Sequence, residues 1–146
     1  MANAYEVANC MLHLDAMSEG EGLSNLKLQK LVYYAQGFHL AIFDKPLFDE
    51  RVEAWTHGPV IPELYQQCKV YGKNPIPFTE EKTASLQVFN SDERELLDEV
   101  FEVFGQYSAW KLREMTHEET PWLNHEAKAG VISQDEIREY FKTRIQ

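Results

Sequence analysis

His117, Glu118, Glu119 and His125 are residue types that hold zinc, and with His57 and nearby carboxylates they could be drawn as a small metal-dependent hydrolase or nucleic-acid-processing enzyme. A zinc helix of the His-Glu-x-x-His kind needs its imidazoles one turn apart on one face, whereas here Thr120-Pro121 interrupts the run. The plainer reading makes Thr116 and His117 end-of-helix hydrogen-bonding groups and leaves the two glutamates in water. Cys68 and His57 could pair as thiol and base, but nothing near Cys68 activates a thiolate, and it falls on the apolar side of its helix, as a structural thiol does. Gly20 and Gly22 lie between two helices and lack a following Lys-Ser/Thr, so they make no phosphate cradle. Asp98-Glu99 and Glu118-Glu119 are adjacent in sequence and diverge on a helix, unlike a converging acid and base. The residues alone assemble no catalytic group, metal site or cofactor site, and the enzyme stays as the competing class.

Lys27 and Lys30 lie near Tyr33 and Tyr34, and basic residues interleaved with aromatics can hold single-stranded nucleic acid. Against this, 14 basic and 24 acidic residues give a net charge of -10, which repels a phosphate backbone and an anionic membrane surface. Two lysines in such a chain read more simply as a solvated edge. No apolar run approaches the roughly twenty residues of a spanning helix, and Met1 to Tyr5 has no secretory pattern, so a cytoplasmic protein without a membrane partner is expected. Cys10 and Cys68 are unpaired in spacing and suit buried thiols of a reducing compartment.

The elements that must position these residues follow from periodicity. A length of 146 residues, 44% hydrophobic, suits one domain spanning 1-146. Leu28, Leu31, Val32, Ala35, Phe38 and Ile42 stack on one side of a central helix that begins at Ser24 or Asn25 and runs to about Phe43. A first helix around Val7 and Met11 precedes it, separated by the glycine-bearing connector Ser18 to Gly22. Residues 47-56 read as short strands or a hairpin arm, and Gly58-Pro59 breaks the chain before a helix that starts at Pro62 and stops at Gly72. Residues 79 to 90 show no clear period. Ser91, Ser108 and Ser133 are expected N-caps, the last in a capping box with Glu136, and Gly105 and Gly130 are expected stops. The fold class is therefore mainly α, a compact helical domain with a small β element.

The ordered set Leu26-Lys27-Leu28-Gln29-Lys30-Leu31-Val32-Tyr33-Tyr34-Ala35-Gln36-Gly37-Phe38, Pro46-Leu47-Phe48, Glu53-Ala54-Trp55, Gly58-Pro59-Val60, Pro62 and Tyr65 resembles the signature of the Panacea antitoxin domain, a phage-associated family that includes a proteolytic-adaptor antitoxin. Leu112, Thr116-His117, Pro121-Trp122, Glu136-Ile137 and Tyr140-Phe141 resemble its C-terminal half. The resemblance implies a helical domain with a small β element, no enzymatic activity, and neutralisation of a cognate toxin by direct binding or by presentation to a protease. A charge of -10 suits capture of a basic protein. Partner contact is expected on Lys27, Lys30, Tyr34 and His39, which lie off the apolar stripe, and on the stiff turn Trp55, His57, Gly58 and Pro59. Trp55, Trp110 and Trp122 could each be core or interface, and the oligomeric state is left open.

Overall fold

The helix α2 (Asn25–Phe43) is buried almost all round: fourteen of its nineteen residues are out of solvent, so it is an axle and not a surface helix. The structure is a computed structural model describing residues 1–145. The other elements are α1 (Ala4–Met17), the strands β1 (Val52–Trp55) and β2 (Gly58–Val60), α3 (Pro62–Cys68), a 3-10 run over Glu80–Val88, α4 (Ser91–Phe104), α5 (Ala109–Thr116), α6 (Thr120–Leu123), β3 (Val131–Ile132) and α7 (Gln134–Lys142). α1, α4, α5 and α7 pack around α2, and β2 closes its remaining side. This mainly helical architecture with a three-stranded antiparallel sheet, ordered β2-β1-β3, is the expected fold class.

Leu28, Leu31, Val32 and Ala35 form the core stripe as read from the periodicity, each 0% exposed. Ser24 caps α2 by accepting the Lys27 amide, and Asp44 ends it in the left-handed region that aspartate tolerates better than most residues. Ile42 departs from the expectation: it belongs to the same stripe but is 46% exposed, while its neighbours Leu40 and Ala41 are buried. Gly37 allows α7 to approach α2 closely, since a Cβ there would sit 2.3 Å from the Phe141 ring.

The hairpin is the part of the fold that shapes a surface. β1 and β2 pair Glu53 with Val60 and Trp55 with Gly58, leaving Thr56-His57 as a two-residue turn. Gly58 has φ +113, and an added Cβ would meet Lys30 Cε at 2.6 Å and Thr116 Oγ1 at 2.8 Å, so backbone shape and close packing both require glycine. Pro59 donates no amide, which an edge strand accommodates.

Several boundaries differ from those read in the sequence. Asn90, not Ser91, caps α4, in a reciprocal box with Glu93. Ser133 accepts the Glu136 amide, but the Glu136 carboxylate does not turn back to complete the box; it takes Asn124 and His125 instead. β3 follows Gly130, where only a stop is expected, because the Gly130 carbonyl already accepts the Ala54 amide and carries the chain onto the sheet. The aperiodic Glu80–Val88 run is held by α1, with Leu86 buried and Asn9 Nδ2 donating to Ser85 Oγ.

Candidate functional site

The polar residues of α2 explain why it can be buried on every side. Gln36 accepts the Leu47 amide at 2.8 Å and donates to the Phe48 carbonyl at 2.7 Å, so it stands in for a strand partner of the 47–48 segment. Gln29 does the same for the Ile61 amide at 2.8 Å, and its other end donates to Asn25 Oδ1. Irregular backbone brought into a core must find such partners, and α2 supplies them.

Lys30 belongs to this set and is its most strained member electrostatically. Its side chain is 0% exposed, and its Nζ donates to the Pro59 carbonyl at 3.1 Å. Burial, with the Arg113 guanidinium as a smaller cause, pushes its pKa down to about 7. The expectation that Lys30, Tyr34 and His39 form an open face of the helix fails because all three are inside. Tyr34 is stacked on Phe104, ring centroids 4.3 Å apart, and donates its hydroxyl to Glu119 Oε2 at 2.7 Å. His39 donates from Nδ1 to the Lys45 carbonyl at 2.7 Å, and burial lowers its pKa. Lys27 is half-buried and donates to the Gly105 carbonyl at 2.7 Å.

Glu119 is the acidic counterpart, 5% exposed, with its pKa raised to about 7 by burial despite Tyr34 and an Arg144 contact at 3.4 Å. Tyr34→Phe keeps the stacked ring but removes the shorter of those two bonds. The variant is expected to lose about 1.5 to 3 kcal/mol of stability, the usual worth of a hydrogen bond to a charged group, and to raise the Glu119 pKa further. Urea unfolding and a carboxyl-detected NMR titration measure both; an unchanged midpoint would show that the bond contributes nothing.

The three imidazoles of the enzyme reading are each committed elsewhere. His57 Nδ1 accepts from Arg113 Nε at 3.0 Å, His117 stacks on Trp122 with centroids 3.9 Å apart, and His125 lies 2.6 Å from Glu136. Among the described residues no three His, Cys, Asp or Glu side chains come together as metal ligands. Cys68 and Cys10 are buried free thiols, and burial pushes Cys10 up to about 12, away from thiolate chemistry.

What the elements do create is a cleft of about 1070 Å³ between the first turns of α2, the hairpin, the end of α3 and the start of α5. Leu26, Val60, Tyr65 and Trp110 give it apolar walls; Lys30, Lys69, Lys73, Trp55 and His57 also line it. Trp110 is 57% exposed with the Arg113 guanidinium 4.4 Å over its ring, so this tryptophan belongs to the surface. Trp122, at 8% exposed, belongs to the core, where its Nε1 donates to the Trp55 carbonyl at 2.6 Å and holds the hairpin from behind. Trp55 is half-buried, edge-on to Tyr65, with Nε1 on Glu53.

Of the residues singled out from the sequence, Lys30, Trp55 and His57 meet at this cleft, and Gly58 and Pro59 form the buried strand beneath Trp55 and His57. Tyr34 and His39 do not reach it. Lys69, Lys73 and Trp110 were not legible as parts of one site, since the first two stand in and beyond the turn that ends α3 and Trp110 stands about forty residues later.

The family model for "Antitoxin SocA-like, Panacea domain" matches residues 28–123, a span that contains α2 from Leu28 onward, the hairpin, α3 and α5. The chain belongs to this antitoxin family. It is 32% identical over 129 residues to Antitoxin SocA of Caulobacter vibrioides (strain NA1000 / CB15N), a match covering 82% of this chain and 68% of that protein. No solved structure gives a significant match. The Panacea span thus includes the axle helix from Leu28 onward and most of the residues that line the cleft; Ser24, Asn25 and Leu26 stand before it and Ala129 after. No helix among the described residues is long and apolar enough to cross a membrane.

Proposed function

We propose that this antitoxin-family chain acts in the cytoplasm by binding a cognate toxin directly at the cleft beside the hairpin, without catalysing a reaction. The observation that carries this reading is the cleft itself. It combines an exposed Trp110, a half-buried Trp55 and Tyr65 on rigid elements, and preorganised aromatics are the side chains that anchor protein interfaces with little ordering cost. The hairpin is fixed from three sides, by Lys30, by Trp122 and by pairing with β3, so its shape is set before any partner arrives.

The test is co-expression with the product of the adjacent gene. Growth arrest caused by that product should be relieved by the native chain and not by Trp110→Ala, whose exposed side chain can be removed without emptying the core. Toxin half-life in the same cells separates two modes: blocking leaves it unchanged, whereas delivery to a protease shortens it. A neighbouring product that neither binds nor harms the cell would remove the reading.

A further inference from the structure

The cleft reverses the charge of the molecule. Three of the chain's 14 basic residues line it and none of its 24 acidic ones does. Glu53 accepts from the Trp55 indole, and Arg51 already pairs with it at 2.6 Å. Lys69 and Lys73 are exposed and make no ion pair among the described residues. Lys30 is fully buried behind the wall with its Nζ on the Pro59 carbonyl, so the charge the cleft presents to a partner is that of Lys69 and Lys73. The cleft thus sets two exposed ammonium groups among apolar side chains.

Resting on the reading of the cleft as the toxin-docking site, we infer that its occupant is a partner segment in which an aspartate or glutamate is flanked by large apolar side chains: the carboxylate meets Lys69 and Lys73, and the neighbours pack on Val60, Tyr65 and Trp110. Charge complementarity selects this occupant. A nucleic acid offers anions and stacking faces too, but it is a polyanion that must also lie along the surface of a chain of net charge -10. A lone carboxylate among apolar groups meets only the local field. The charge of the whole chain, which suits a basic partner, does not describe the place where the partner enters.

The experiment is a selection of random heptapeptides displayed on phage against the immobilised full chain, run in parallel on Lys69→Glu/Lys73→Glu, a pair of exposed substitutions whose thermal midpoint is measured first. Enriched peptides should share an acidic residue next to Leu, Ile, Phe or Trp. Synthetic copies should lose at least tenfold in affinity when that residue becomes Gln or Asn, and at least tenfold on the double variant or on Trp110→Ala. Enrichment of neutral or basic peptides, no enrichment at all, or equal binding to the double variant would overturn the inference. So would displacement of the peptide by a twelve-nucleotide oligo-dT, which would show a nucleic-acid site. Neutral or basic peptides that displace the toxin and are lost on Trp110→Ala would leave the docking reading standing without this occupant. Acidic peptides that bind but never displace the toxin would overturn the docking reading on which the inference stands.

Discussion

Lys30→Met is expected to stabilise the fold at pH 6 by about 2 to 4 kcal/mol and to be close to neutral at pH 9. Moving a lysine pKa from 10.5 to about 7 corresponds to about 5 kcal/mol of burial penalty when the group is charged in both states. Methionine fills similar space without charge, but it leaves the Pro59 carbonyl without its donor, which costs about 1 to 3 kcal/mol. Between pH 7 and 10.5 the unfolded chain holds the lysine proton and the folded chain does not, so the native protein gains stability as pH rises through that window while the variant does not share the gain. By pH 9 the penalty has fallen to about 2 kcal/mol, and the advantage of methionine has gone. Glu119 works in the opposite sense: its pKa is raised from 4.5 to about 7, so its contribution is present below pH 4.5 and is lost as pH rises to 7. Urea unfolding of both chains at pH 6 and pH 9 isolates the lysine, because the other groups cancel in the difference. A stability difference that does not change with pH would mean that Lys30 is not held as a buried amine.

Leu31→Ala is expected to remove about 2 to 5 kcal/mol, the usual range for emptying a core leucine site. The value should fall in the upper part of that range. Leu31 is 0% exposed on the helix that α1, α4, α5 and α7 share, so closing the void requires more than one element to move. For a chain of this size the melting temperature should drop by roughly 5 to 15 °C. A midpoint unchanged by the substitution would remove α2 from the centre of the fold.

Residue spacing alone located α2 with a start at Ser24 or Asn25, a strand within 47-56 and the Pro62 start, because apolar period, cap chemistry and proline placement act over a few residues; the second arm of the hairpin, Gly58–Val60, read only as a chain break because glycine and proline mask a three-residue strand. The polar face of α2 was not legible in the same way. Gln29, Lys30, Gln36 and His39 look like a solvated side by residue type, yet each bonds to backbone from a segment later in the chain, a tertiary fact with no local signature. The same reason hides the cleft: Lys30, Lys69 and Trp110 become neighbours only when α3 and α5 fold beside the hairpin. The weak strand β3 escaped because two residues carry no period; the Gly130 carbonyl bond to Ala54 and the pairing of Val52 with Ile132 define it.

The most direct test of the cleft as the working surface is the affinity between the purified chain and the product of its adjacent gene, measured by calorimetry for the native protein, Trp110→Ala and Glu99→Ala/Glu102→Ala. The last pair lies on exposed positions of α4, none of which lines the cleft, and serves as the control surface. Trp110→Ala is expected to weaken binding by at least thirtyfold, about 2 kcal/mol for an interface anchor, while the α4 pair stays within threefold of native and all three proteins melt within a few degrees of one another. Equal affinity for Trp110→Ala and the native chain, or a loss confined to the α4 pair, would place the toxin on another face and contradict the assignment of the cleft.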